Sequence, residues 1–157
     1  MEVEVRENLL AQNDRMAQKN KELLSKNNVF AIDLVGSPGC GKTSLLEEIL
    51  KNLREEFNLA VIEGDLYTTK DADRIEGYGS DIIQINTQGA CHLEALSIHQ
   101  VLQELDLKKL DCLIIENVGN LVCPASFALG TELKITVLSV SEGNDKPLKY
   151  PALFQQS

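Results

Sequence analysis

"VFAIDLVGSPGCGKTSLLEEIL", residues 29–50, runs an apolar stretch into Gly36-x-x-x-x-Gly41-Lys42-Thr43 and straight on into a helical pattern. Strand, glycine loop and helix in that order form a phosphate-binding loop. The glycines let the backbone curl so that its N–H groups face phosphate oxygens, and the helix adds its positive N-terminal end at the same place. Lys42 then reaches the β/γ-phosphates and Thr43 offers a hydroxyl to Mg²⁺. Residues Gly36, Ser37, Pro38, Gly39, Cys40, Gly41, Lys42, Thr43 and Ser44 make up the expected nucleotide-binding stretch, with Cys40 read as a small loop residue rather than a redox centre.

The chain around this loop alternates between two patterns. Apolar runs near 29–35, 59–64, 81–86, 111–116 and 134–140 read as strands, and stretches near 42–56, 70–77, 92–105 and from 151 read as helices. Strands apolar on both faces and alternating with helices predict an α/β fold, a mostly parallel sheet flanked by helices. Ahead of them, residues 3–26 carry Leu9/Leu10, Met16/Ala17 and Leu23/Leu24 at a step of seven. That is one narrow apolar stripe on an amphipathic helix, facing either its own domain or a partner helix. The expected division is an N-terminal helical extension, 1–28, and a nucleotide-binding domain, 29–157.

Composition excludes several functions. With 157 residues and 43% apolar content the chain can build a core, and a net charge of -9 argues against nucleic-acid or anionic-membrane surfaces. Neither a signal peptide nor an apolar run of membrane-spanning length is legible, so the expected address is cytoplasmic. In that reducing setting Cys40, Cys91, Cys112 and Cys123 are expected as thiols or metal ligands.

Acidic residues fall where nucleotide chemistry needs them. Asp65 ends the second strand and Glu116 ends "LDCLIIE", and ligands of open α/β sheets bind at the carboxyl ends of strands. Each can hold Mg²⁺ through water, orient an attacking water, or simply cap a loop. Asp71 and Asp73 are weaker candidates, and Asp71 reads equally well as a helix-start carboxylate favoured by the dipole.

"TQGACHLEALSIHQ", residues 87–100, places Cys91 beside His92 ahead of a helix. Mid-helix neighbours point about 100° apart, so the pair shares a metal only from a freer junction, which Gly89-Ala90 supplies. Cys123, seven residues after Glu116, completes a Cys/His/Cys set suited to Zn²⁺ or Ni²⁺ with a fourth position open. Cys112 reads as strand packing and His99 as a solvated or packed histidine.

Five segments in order, "GSPGCGKTSLLE", "EGDLYTTKDADRI", "TQGACHLEA", "LIIENVGNLVCPASFALG" and "VSEGNDKPLKYP", resemble the HypB family of hydrogenase nickel-incorporation GTPases. The resemblance implies a SIMIBI-type P-loop GTPase acting as a homodimer, a metallochaperone that hydrolyses GTP to GDP to deliver nickel during [NiFe] hydrogenase maturation. It assigns Lys42, Asp65 and Glu116 to catalysis, and Thr43, Asp65 and Glu116 to Mg²⁺. Cys91, His92 and Cys123 take the nickel or zinc. Partners would be a nickel-binding maturation protein and the hydrogenase large-subunit precursor, with neither nucleic acid nor membrane.

The sequence departs from the family in two places. Residues 1–28 carry no cysteine, so the N-terminal nickel motif of some members is not expected. At Ser157 the family continues into an Asn-Lys-x-Asp strand that reads guanine, so the expected domain lacks that strand and leaves a sheet edge open. The alternative is therefore a truncated, non-hydrolysing nucleotide- and zinc/nickel-binding module. A small-molecule kinase and a structural zinc site are weaker rivals.

Overall fold

The computed structural model describes residues 2–65, 75–78 and 81–157, without the side chains of 2–7, 65 and 76. Asp71, Asp73 and Arg74, with most of the helix expected near 70–77, lie outside them. The described order is α1 (Glu2–Lys26), β1 (Phe30–Gly36), α2 (Lys42–Leu53), β2 (Leu59–Asp65), a 3₁₀ turn (Glu76–Tyr78), β3 (Asp81–Asn86) and α3 (Ala95–Glu104). Then come β4 (Cys112–Glu116), a 3₁₀ turn (Cys123–Ala125), β5 (Leu133–Val137), a 3₁₀ turn (Val140–Glu142), α4 (Lys146–Lys149) and α5 (Pro151–Gln155).

Five strands form one sheet in the order β3-β2-β4-β1-β5, every described pairing parallel. Both faces are covered, as the unbroken apolar runs predict. One face packs Leu34, Leu46, Leu50, Val61 and Ile114 beneath α2. The other packs Ala31, Ile62, Leu113 and Ile115 with Leu93, Ile98 and Leu102 of the α3 region and Leu24 of α1. In β4, Leu113, Ile114 and Ile115 are all at most 1% exposed, so this central strand is dry on both sides. At about 1.5–3 kcal/mol per fully buried aliphatic side chain, the two layers supply the main driving force for the fold.

The apolar stripe of α1 turns inward at Ala17 and Leu24, while Leu9 stays more than half exposed. Two asparagines on the same stripe do what the aliphatics cannot. Asn20 Nδ2 donates to Ala95 O at 2.8 Å and Leu129 O at 3.0 Å. Asn13 Nδ2 donates to Ala128 O at 2.8 Å, and its Oδ1 accepts from Ala95 N at 2.9 Å.

That last bond explains where α3 begins. The sequence pattern starts the helix at residue 92, but the structure starts it at Ala95, behind an extended Glu94 (φ −110°, ψ 150°) that gives no side-chain cap. Asn13 of α1 accepts from the buried N–H of Ala95 in the first turn instead. Residues 91–94 are left as loop. Likewise α2 ends at Leu53 rather than 56, where the backbone passes into a turn.

Candidate nucleotide and metal sites

Gly41, at φ 104°, is the N-cap of α2, a left-handed conformation that favours glycine. It turns the loop so that α2 opens with no side-chain cap, leaving its first-turn N–H groups for an anion. Lys42, only 7% exposed, folds back over the loop, its Nζ donating to Gly36 O at 3.3 Å and Ser37 O at 3.2 Å. Thr43 Oγ1 donates to Glu116 Oε1 at 2.7 Å, and both residues are buried. A hydroxyl and a carboxylate, both hard oxygen donors, thus meet at the mouth of the loop, a donor set that fits Mg²⁺. Ser44 is exposed on α2 and Cys40 is buried beneath the loop, 4.0 Å from Lys42 Nζ.

Asp65 is the last residue of β2, opposite Asn86, and its side chain lies outside the described residues. Two further carboxylates here went unread in the sequence. Glu63, 2% exposed, stands opposite Glu116 in the β2–β4 register, so both point to the same face of the sheet. Glu142, from the turn after β5, brings its carboxylate onto Ser37 Oγ while accepting from Ser139 N at 2.8 Å. An apolar strand interrupted by Glu was the only signal for the first. The second had none, because it depends on a loop distant in sequence.

The Cys/His/Cys set comes together. The ligand atoms of Cys91, His92 and Cys123 lie within 4.8 Å of one another. The Cys91 thiol donates to Cys123 Sγ at 2.9 Å, and His92 Nδ1 lies 3.7 Å from Cys91 Sγ. Two thiolates on one tetrahedral Zn²⁺ sit ~3.8 Å apart, so a movement of about 1 Å suffices to admit an ion. This works because 91–94 is loop, which frees the adjacent ligands from helical geometry. The His92 ring stacks on Phe127, centroids 3.8 Å apart at 25°, and its Nε2 lies 3.7 Å from Glu94 Oε1.

Burial lowers the His92 pKa below its usual value, with Glu94 opposing, which favours the neutral imidazole that a metal requires. The hydrogen bond to Cys123, then burial, raises the Cys91 thiol above its usual value. His99 stays apart from this set, its Nδ1 at 2.8 Å from Asn20 Oδ1. Cys112 opens β4 half-buried, and burial followed by Asp111 pushes its thiol up to about 11, as befits an unreactive packing residue.

The two sites share one stretch of chain. From Glu116 the backbone passes through Asn117, which accepts from Leu93 N at 3.2 Å and donates to Asp33 Oδ1 at 3.0 Å. Gly119 lies flat against the phosphate loop, where an added Cβ would come within 2.9 Å of Pro38 Cα and N. Cys123 follows four residues later.

Residues 30–151 match the CobW/HypB/UreG nucleotide-binding domain model. The chain belongs to this family. Within it, the similarity is to HypB. The hydrogenase maturation factor HypB of Rhizobium leguminosarum is 47% identical over 97% of this chain and 51% of its own length. A crystal structure of Helicobacter pylori HypB in complex with nickel superposes with a TM-score of 0.87 at 45% identity, covering 93% of this chain and 69% of that one. The signal recognition particle receptor FtsY of Elizabethkingia anophelis, 18% identical with a TM-score of 0.60, shares the fold. The chain thus spans about half the length of the Rhizobium relative. No described helix is long and apolar enough to cross a membrane.

Proposed function

We propose that this chain is a nucleotide-gated nickel carrier, binding and hydrolysing GTP at residues 36–44 and delivering nickel from Cys91, His92 and Cys123 during [NiFe] hydrogenase maturation. The observation that carries the reading is the Cys/His/Cys cluster, whose third ligand sits on the segment leaving Glu116, itself bonded to Thr43. The nickel complex of the H. pylori relative supports the choice of cargo.

In this reading Lys42 leaves the Gly36 and Ser37 carbonyls for the β/γ-phosphates. Thr43, Glu116 and Asp65 would hold Mg²⁺, which would neutralise phosphate charge. The carboxylate of Glu116 or Asp65 orients the attacking water. Loss of the γ-phosphate releases the segment 116–123, and Cys123 moves relative to Cys91 and His92. Two soft thiolates, one imidazole and an open position suit a site that passes its ion onward, and zinc competes for the same ligands. A second copy of the chain would complete the coordination, and a nickel-binding maturation protein and the hydrogenase large-subunit precursor would be the partners.

Two measurements test it. Phosphate release from GTP should fall to background in Lys42→Ala; equal release from both proteins overturns the assignment of the loop. Cys91→Ala and Cys123→Ala should lose bound nickel with an unchanged melting temperature. A fall in melting temperature that tracks metal loss points instead to a structural ion.

A further inference from the structure

Asn120 sits where the two sites meet. Its backbone N donates to Gly36 O at 2.9 Å, an isolated antiparallel bridge between the entry to the phosphate loop and the segment after β4. Gly36 O is also one of the two carbonyls that hold Lys42 Nζ. On the other side, Asn120 Nδ2 donates to Cys91 O at 3.1 Å. Its Oδ1 accepts from Val122 N at 2.8 Å, the residue before Cys123. One planar amide therefore touches the peptide of one metal ligand and the turn leading to another, and its own backbone is tied to the phosphate loop.

The neighbouring link differs in kind. Asn117 also grips the metal loop, through Leu93 N, but it is 1% exposed and locked to the fully buried Asp33. Moving it means unpacking the core. Asn120 is half-buried and its partners are loop peptides, so it can shift while the core stays intact.

We propose that Asn120 is a positioning residue that sets the spacing of Cys91 and Cys123 according to the state of the phosphate loop. A nucleotide that draws Lys42 onto its phosphates releases Gly36 O from that lysine, and the Gly36–Asn120 bond adjusts. The rigid side-chain amide carries the displacement to Cys91 O and Val122 N together. Cys123 follows Asn120 along the chain and through Val122 N, whereas the Cys91 loop is also held to the core by the bond from Leu93 N to Asn117, so the sulfur separation changes rather than the site moving as a whole. This inference rests on the reading that nucleotide and metal sites are coupled.

The test is nickel titration, followed by thiolate-to-metal absorption, of the GDP-bound and GTP-analogue-bound forms of wild type, Asn120→Ala and Asn120→Asp. Asn120→Ala loses both side-chain bonds. Asn120→Asp keeps the acceptor for Val122 N and loses the donor to Cys91 O; its added charge acts in both nucleotide states, so the ratio of affinities separates this link from general loosening of the turn. Wild type should show nickel affinities that differ between the two states by about 5- to 150-fold, the usual range of such couplings. In both variants the ratio should fall to about 1. A wild-type ratio in Asn120→Asp overturns the role of Asn120 while leaving the coupling standing. A ratio of 1 in wild type itself removes the coupling and this inference with it.

Discussion

Replacing Asp33 by Asn should change how stability depends on pH, by an amount the structure sets. Asp33 is in the middle of β1, fully buried, with Asn117 Nδ2 at 3.0 Å from Oδ1 and Lys134 Nζ at 3.8 Å from Oδ2. Burial raises its pKa from 3.8 to about 6, against the opposing pull of Lys134 and the Asn117 hydrogen bond. Burial also lowers the pKa of Lys134, with Asp33 opposing, so desolvation works against the charged form of both partners.

Between those two pH values the folded chain keeps a proton that the unfolded chain gives up. Stability from this group is therefore greatest below pH 3.8 and is lost as pH rises through about 6. The difference of about two pH units corresponds to about 3 kcal/mol. Asn cannot ionise and still offers Asn117 an acceptor. Urea unfolding of both proteins, from pH 4 to pH 7.5, should show the variant gaining about 2.5 kcal/mol relative to wild type across the range, the rest of the change lying below pH 4. Comparing the two proteins cancels the shared contribution of the other carboxylates. A stability difference that does not vary with pH would refute the burial argument.

The remaining predictions concern the joints of the fold and the metal site. Asn20→Ala should lower stability by about 2–4 kcal/mol in urea unfolding, since it strips two buried carbonyls of their donor and His99 Nδ1 of its partner. Gly119→Ala forces a Cβ to within 2.9 Å of the Pro38 backbone. It should cost about 1–3 kcal/mol of stability. Its larger effect should appear as weaker nucleotide affinity in equilibrium dialysis, because the phosphate loop must give way. Nickel must displace thiol protons, and the Cys123 hydrogen bond and burial hold the Cys91 proton tightly. Nickel affinity should therefore fall by about 10- to 100-fold per pH unit below neutrality, with proton release visible as a buffer-dependent heat.

What the sequence discloses follows the range of the interactions involved. The phosphate loop and the dry strands are written locally: Gly36 to Thr43 must adjoin in sequence to form a loop at all, and β4 reads as Leu-Ile-Ile because both its faces are covered. Cys91, His92 and Cys123 are legible as chemical types, while their meeting depends on α3 starting late. That start depends on Asn13, more than eighty residues upstream in α1. Asn13, Asn20, Asn120 and Glu142 stayed silent for one reason. A polar side chain on a helix, turn or loop reads as solvated until a tertiary partner fixes its hydrogen bonds, and each of these has a partner far along the chain.

The central claim is that metal and nucleotide sites are energetically linked through residues 116–123. Linkage is reciprocal, so nickel must alter nucleotide affinity by the same factor by which nucleotide alters nickel affinity. Binding of a fluorescent GTP analogue to the chain, measured with and without one equivalent of Ni²⁺, reads this directly. The account predicts two separated isotherms whose shift disappears in Cys123→Ala. Superimposable isotherms for the wild-type chain would contradict it.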